Sequence, residues 1–112
     1  MEVTDSLELI NATMSEAKLG RLLEIVCKGA GWTYYHTWRS DHSTAGFPDY
    51  VLLRPPRVIF AELKREKGKA TAAQQRWLDG LLECGQEAYL WRPSDSEEIL
   101  RTLGIEDYQP YQ

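Results

Sequence analysis

Long apolar runs, metal-binding spacings of cysteine and histidine, and an excess of positive charge are all lacking from this 112-residue chain. Without a membrane-spanning apolar run or an N-terminal signal pattern, the sequence predicts a protein that spans no membrane and works in the cytoplasm. The two cysteines, Cys27 and Cys84, have no zinc-finger spacing. We expect both to be buried free thiols, and a bridge between them stays open.

The residues that are present indicate one folded domain. Apolar residues make up 43% of the chain, which includes four Trp and six Tyr, and this content excludes a disordered protein. There is no internal repeat, low-complexity tract or linker. We therefore predict a single domain over residues 1–112 with its core at about 14–103. The acid-rich residues 1–12 leave two interpretations open, an additional helix or a partner-binding arm.

A net charge of −4 would argue against a nucleic-acid partner if the charge were evenly spread. The window from 64 to 76 contains five basic residues and one acid, a net charge of +4, so the rest of the chain carries −8. Such a local patch is typical of a phosphate-binding surface. A solvated loop is the competing interpretation.

Periodicity and turn residues predict an α/β domain in the order α-β-β-β-α-β-α, a mixed β-sheet flanked by helices. The predicted helices cover 13–30, 71 to near 85, and about 93–103, and the predicted strands cover 32–38, 50–53, 58–63 and 87–91. Thr13 with Glu16, and Thr71 with Gln74, have the spacing of helix capping boxes. Prolines at 55 and 56 predict a hairpin turn between the second and third strands.

The strongest chemical pattern is Gly46-Phe47-Pro48-Asp49 followed by Glu62-Leu63-Lys64. On the predicted hairpin, Asp49 folds back towards Glu62 and Lys64, which share one face of their strand. Two close carboxylates repel each other unless a cation bridges them, and their hard oxygen atoms suit Mg²⁺ or Mn²⁺. The carbonyl group of Leu63 is a further candidate metal ligand, and Lys64 is placed to stabilise charge on a phosphate.

Two further polar residues lie on apolar helix faces directed at the sheet. Glu16 shares a face with Leu19 and Leu23, and either joins the metal site or caps its helix with Thr13. Gln74 either supports the carboxylates or caps its helix with Thr71, and Gln75 replaces it if the helix is rotated.

Candidate DNA contacts are the strand residue His36, for which a partly buried structural role is the alternative, and two residues of the polar loop after it, Arg39 and Ser43. The basic window adds four more candidates, Arg65, Lys67, Lys69 and Arg76.

Taken in chain order, the motifs match a known pattern. They are Glu16, Gly46-Phe47-Pro48-Asp49, Glu62-Leu63-Lys64 and Gln74-x-x-Trp77. This arrangement resembles the VRR-NUC family of the PD-(D/E)xK nuclease superfamily, over residues 14–103. The phrases Tyr35-His36-Thr37 and Leu90-Trp91-Arg92-Pro93 are similar to it as well.

The resemblance implies a restriction-endonuclease-like core and a metal-dependent DNA endonuclease. Asp49 and Glu62 would then be metal ligands and Glu16 an outer or indirect ligand. Lys64 would be the catalytic lysine and Gln74 a supporting polar group.

Short stand-alone members of the family, typical of phages and bacteria, are similar to Holliday junction resolvases that act as homodimers. We therefore predict a Mg²⁺- or Mn²⁺-dependent enzyme that cuts branched DNA, most specifically four-way junctions, as a homodimer. Two alternatives stay open: a flap-type or sequence-specific endonuclease, and a non-catalytic DNA-binding protein that keeps the nuclease fold.

Overall fold

The computed structural model describes residues 3–38 and 44–105. In chain order the elements are α1 (Val3–Thr13), α2 (Glu16–Ala30), β1 (Thr33–His36), β2 (Tyr50–Arg54), β3 (Arg57–Leu63), α3 (Ala72–Glu83), β4 (Glu87–Trp91), a 3₁₀ turn (Pro93–Asp95) and α4 (Ser96–Thr102). The predicted α/β class and mixed sheet are confirmed. The chain adds one helix in front of the predicted order, so the acid-rich N-terminal segment is helical from residue 3 onwards.

The four strands form one sheet in the order β1-β2-β3-β4. The first three strands pair antiparallel and β4 pairs parallel to β3. The hairpin closes where Arg54 pairs with Arg57, around a cis Pro55–Pro56 peptide, and its register places Tyr50 opposite Ala61. This register brings the residue before Tyr50 and the residue after Ala61 together at the far end of the hairpin.

The capping box predicted for Thr13 and Glu16 is wrong. Helix α1 continues to Thr13, whose hydroxyl group donates to the carbonyl oxygen atoms of Leu9 and Ile10 at 2.9 and 3.2 Å. The cap of α2 is instead Ser15, whose hydroxyl oxygen accepts the backbone N–H of Lys18 at 3.1 Å. Glu16 therefore begins the helix with its carboxylate free of any capping role.

Both faces of the sheet are covered by other residues of the chain. Successive residues of a strand point to opposite faces, so each strand contributes to both. Alternate residues of β3 join a buried core with α2, β2, β4 and the end of α4; its members are Leu19, Leu23, Cys27, Trp32, Tyr50, Leu52, Ile59, Ala61, Leu63, Trp91, Ile99 and Leu103. On the other face Phe60 and Trp77 contact Phe47 edge to face, at ring-centroid distances of 6.2 and 5.1 Å. Glu62 belongs to this second face, beneath α3.

Both cysteines are free, as expected, but only Cys27 is buried. The prediction for Cys84 is wrong because this residue caps the exposed end of α3, immediately before the turn at Gly85. Leu82, near the same end of α3, is 55% exposed. No helix within the described part of the chain is long and apolar enough to cross a membrane.

Gly46 allows the loop before Asp49 to lie directly against the first turn of α3. Its φ of 95° is in the left-handed region, and a Cβ atom there would stand 2.5 Å from the carbonyl carbon of Ala73 and 2.8 Å from the backbone nitrogen of Gln74. Any side chain would therefore displace helix backbone rather than a flexible side chain. The close approach couples the loop before Asp49 to the turn that contains Gln74.

We expect Gly46→Ala to lower the free energy of unfolding by roughly 1–3 kcal/mol, because it combines a strained backbone with a clash against α3. The matched control is Gly80→Ala in the same helix, where nothing lies within 4 Å of the added Cβ atom. That change removes an exposed helical glycine and should raise the stability by up to about 1 kcal/mol. Urea unfolding measures both, and a shift of the two variants in the same direction would contradict this role of Gly46.

Candidate active site

Two carboxylates meet at the open end of the hairpin formed by β2 and β3. Asp49 precedes β2, and its Oδ2 atom accepts the backbone N–H of Leu63 at 2.9 Å. This hydrogen bond continues the pairing of β2 with β3 by one contact beyond Tyr50 and Ala61, and it holds Asp49 beside Glu62. The predicted proximity of the two acids thus follows from strand pairing.

Glu62 is only 2% exposed and is the one buried charged residue of the described chain. Burial is the main reason that its pKa rises from the ordinary 4.5 to about 8, followed by hydrogen bonding with, and repulsion by, the Asp49 carboxylate. The positive charge of Lys64 acts in the opposite direction. Near neutral pH this site therefore favours either a proton or a cation on Glu62.

Gln74 performs both of the roles that the sequence left as alternatives. Its Oε1 atom accepts the backbone N–H of Thr71 at 2.9 Å, and the Thr71 hydroxyl oxygen accepts the N–H of Gln74 at 3.2 Å, which completes the capping box. The other end of the same amide donates from Nε2 to Oε1 of Glu62 at 3.3 Å. Gln75 instead donates to Asp79 on the exposed surface at 2.8 Å, so it does not replace Gln74.

Glu16 lies at the exposed N-terminus of α2 and lines a cleft with Asp49 and Leu63. Its charge contributes to the raised pKa of Glu62, after the contribution from Asp49. Within residues 3–38 and 44–105, no three His, Cys, Asp or Glu side chains are arranged to hold a metal ion. The structure thus assembles Asp49 and Glu62 as a pair, with Glu16 further away.

A pair of carboxylates fits Mg²⁺, because this ion is commonly bound by one or two carboxylates together with water and substrate phosphate. The burial of Glu62 beside the Asp49 carboxylate is the structural observation that supports the fit.

Lys64 follows β3, and its backbone N–H donates to the carbonyl oxygen of Trp91 at 3.0 Å. Its side chain is half-buried and lines a groove of about 400 Å³ with Glu16 and three exposed basic residues, Arg65, Lys67 and Lys69. The groove therefore joins the candidate catalytic residues to the basic loop at residues 65–69.

Arg92 anchors this basic loop, a role that sequence reasoning missed. Its Nε and Nη2 atoms donate to the carbonyl oxygen of Gly68 at 3.2 and 2.7 Å. The carboxylate of Glu66 accepts the backbone N–H of Ser94 at 3.1 Å. The single acid of the loop is thus occupied in a structural contact, while the basic side chains face outwards. No sequence signal other than the resemblance of Leu90-Trp91-Arg92-Pro93 singled out this arginine.

The remaining candidate DNA contacts are dispersed. Arg76 is exposed on α3 and lines a separate groove with Trp77 and Cys84. His36 is exposed in β1 and lines the same cleft as Asp49. Arg39 and Ser43 lie outside the described residues.

Glu24 of α2 is a further residue of the cleft that sequence reasoning missed. Its Oε2 atom accepts the hydroxyl group of Tyr50 at 2.5 Å, which lowers the pKa of Glu24 and brings it into the cleft. Gly20 makes room for this contact, since a Cβ atom there would lie 2.8 Å from the Tyr50 hydroxyl oxygen. A glycine inside a helix, at a cost of about 1 kcal/mol, was the signal available in the sequence.

Comparison with known proteins agrees with the predicted fold. A solved structure described as a VRR_NUC domain superposes with a TM-score of 0.65 and 20% sequence identity, covering 84% of this chain and 97% of that one. No protein-family model matches the chain, and no curated protein sequence is similar to it. The resemblance seen in the motifs is therefore confirmed at the level of the fold.

The buried carboxylate makes stability depend on pH in a testable way. Because the pKa of Glu62 is about 8 in the folded protein and near 4.5 when exposed, its contribution to stability is present below pH 4.5 and is lost as the pH rises towards 8. In metal-free buffer, Glu62→Gln should therefore gain melting temperature relative to the wild type as the pH is raised from 5 to 8.

Added Mg²⁺ should raise the melting temperature of the wild-type protein at pH 8 more than that of Glu62→Gln, because the variant lacks one carboxylate. The control is Glu83→Gln at the exposed end of α3. Parallel pH profiles for the wild type and Glu62→Gln would contradict the assignment of a buried, proton-binding carboxylate.

Proposed function

We propose that this protein with a VRR_NUC-like fold is a Mg²⁺- or Mn²⁺-dependent endodeoxyribonuclease, with four-way DNA junctions as its preferred substrate. The observation that carries the proposal is the buried Glu62, paired with Asp49 and flanked by Lys64 at the open end of a hairpin. A purely structural carboxylate at this depth would be expected to have a cationic partner in direct contact.

Asp49 and Glu62 would hold the metal ion, with the Leu63 carbonyl group as a further ligand and Glu16 as an indirect one. Bound there, the ion would lower the pKa of a water molecule and neutralise charge on the phosphate oxygen atoms. The same requirement for a cation explains why the fold tolerates two acids side by side.

Two residues of the chain, Lys64 and Gln74, would assist the reaction alongside the metal ion. Lys64, whose charge already acts on Glu62, would stabilise the negative charge that grows on the phosphate during hydrolysis. Gln74 would keep the Glu62 carboxylate in one orientation, because its amide is itself held by the helix cap. An exposed amide without these hydrogen bonds would change its orientation and would not hold the carboxylate in place.

The basic loop would bind the DNA backbone beside the active site. Arg65, Lys67 and Lys69 are exposed, and the contacts of Arg92 and Glu66 keep the loop in place. Arg39, Ser43 and Arg76 would add contacts elsewhere on the duplexes, and His36 would contact the DNA within the cleft beside Asp49. Such backbone contacts position a nucleic acid without reading its sequence, which suits an enzyme selective for DNA structure.

A homodimer would place one active site on each of two opposed strands of a junction. Helix α1 supports this part of the proposal, because Leu7, Leu9 and Ile10 are each more than half exposed. Exposed apolar side chains clustered on one helix are typical of an interaction surface.

Asp49→Asn and Lys64→Ala should each reduce cleavage of a labelled four-way junction by at least about 100-fold in Mg²⁺ or Mn²⁺, the scale of losing one charge-stabilising group. Binding of the junction should be retained, because these residues act on the reaction rather than on the DNA backbone. Lys28→Ala, an exposed change in the last turn of α2, is the control.

Gel assays of cleavage and binding would separate the possible functions. Wild-type activity in Asp49→Asn would contradict the active-site assignment. Equal cutting of plain duplex would contradict junction selectivity. Tight binding without any cleavage by the wild type would indicate a non-catalytic DNA-binding protein instead.

Replacing Arg65, Lys67 and Lys69 together by Ala should weaken junction binding and reduce the slope of log affinity against log salt by about one unit for each phosphate group that is no longer neutralised. Fluorescence anisotropy at several salt concentrations measures this slope, with Lys28→Ala as a control that also removes a positive charge. An unchanged slope would place the DNA backbone away from the basic loop.

A further inference from the structure

The cleft beside Asp49 has an aromatic side that the hydrolysis of a phosphodiester does not require. Its volume is about 520 Å³, within the range of pockets that hold small organic groups. Three aromatic residues, His36, Trp38 and Tyr50, line it together with the acids Glu16 and Asp49.

Trp38 is held close to Asp49 by the backbone. The N–H group of Thr37 donates to the carbonyl oxygen of Asp49 at 2.7 Å, and the Thr37 hydroxyl group donates to the carbonyl oxygen of Pro48 at 2.7 Å. Trp38 follows immediately, with its Cα atom about 3.8 Å from that of Thr37. Although it is so close to the candidate active site, Trp38 is 80% exposed.

His36 presents a second flat surface to the cleft. Its ring is stacked on the ring of Tyr50, with centroids 4.4 Å apart and planes 6° from parallel. Tyr50 is buried, and its hydroxyl group is fixed by Glu24, so the inner face of His36 rests on a rigid support. His36 itself is exposed, which leaves its outer side available to a ligand.

The charges of the cleft identify the kind of ligand. With Glu16 and Asp49 assigned to the metal ion, the charged residues left in the cleft are Glu24 and Arg21, which balance each other, so this side has no excess of positive charge to hold a phosphate. A nucleobase is flat and uncharged and stacks well on aromatic rings. The phosphate groups of the same strand are matched instead by the exposed basic residues of the neighbouring groove, Arg65, Lys67 and Lys69.

We propose that the cleft binds one unpaired nucleobase, stacked on His36 and Trp38, next to the phosphodiester held at Asp49 and Glu62. This inference rests on the proposed nuclease function and specifies its substrate: DNA with an unstacked base at the cutting site, as in a flap, a single strand or the opened centre of a junction. A continuous duplex keeps its bases stacked on one another, so it cannot supply that ligand.

The test compares DNA binding by variants at Trp38 in EDTA, where no metal-dependent cleavage occurs. Trp38→Ala should weaken binding of a flapped duplex and of a single strand by about 10-fold, the scale of stacking one base on one aromatic ring, and leave binding of a continuous duplex unchanged. Trp38→Leu, which is apolar but has no ring, should behave like Trp38→Ala. Trp38→Phe should restore most of the affinity.

Tyr35→Ala is the matched control, because Tyr35 is also an exposed aromatic residue of this edge, at 59%, yet it does not line the cleft. It should leave all binding constants within about twofold of the wild type. Equal weakening of duplex and flap by Trp38→Ala, or a lower melting temperature that accounts for the loss, would overturn the proposal, as would no change at all.

The two proposals fail in different ways. If the wild-type protein cuts no DNA in Mg²⁺ or Mn²⁺, the proposed nuclease function fails, whereas the contrast between flap and duplex binding still decides the base-binding site. If it cuts DNA but Trp38→Ala binds flap and single strand normally, the nuclease stands and the base-binding site fails.

Discussion

The pairing register of β2 and β3 is the constraint on which the candidate site depends. Tyr50 lies opposite Ala61, so Asp49 and Glu62 meet one step further along the ladder. A slip of one residue would move Glu62 to the core face and bring an apolar neighbour to the site, because strand side chains alternate. The Asp49 side chain reinforces the register at this end by accepting the backbone N–H of Leu63, and Gln74 of α3 donates to Glu62 beside it.

The same register buries the Glu62 carboxylate at a position where its ionisation is unfavourable. Glu62 is buried beside a second acid, and its raised pKa expresses the free energy that ionisation would require there. A fold selected only for stability would gain from an apolar residue at this position. The buried carboxylate, with Gln74, Lys64 and a basic loop around it, is the feature that motivates the proposal of a site for a cation and a phosphate.

At two glycines, a helix packs so closely against this site that a Cβ atom would not fit. Gly46 lets the loop before Asp49 touch the first turn of α3, and Gly20 leaves space in α2 for the hydroxyl group of Tyr50. Through these contacts, the helix that supplies Gln74 and the helix that supplies Glu16 are both positioned against the ends of β2. The pair of acids and the aromatic side of the cleft are therefore built on the same strand end, as the proposal that one DNA strand contacts both requires.

The sequence by itself determined the main helices and strands after α1 and the candidate pair of acids. The strands with their proline turn, the cap at Thr71, and the faces of Glu62 and Gln74 follow from local preferences and from side-chain periodicity, both of which act over a few residues. Only the tertiary structure decided that Ser15 rather than Thr13 caps α2, that Gln74 serves the cap and Glu62 together, and that Arg92 anchors the basic loop. Those outcomes depend on contacts between segments far apart in the chain, where competing partners are chosen by packing and no local pattern records the choice.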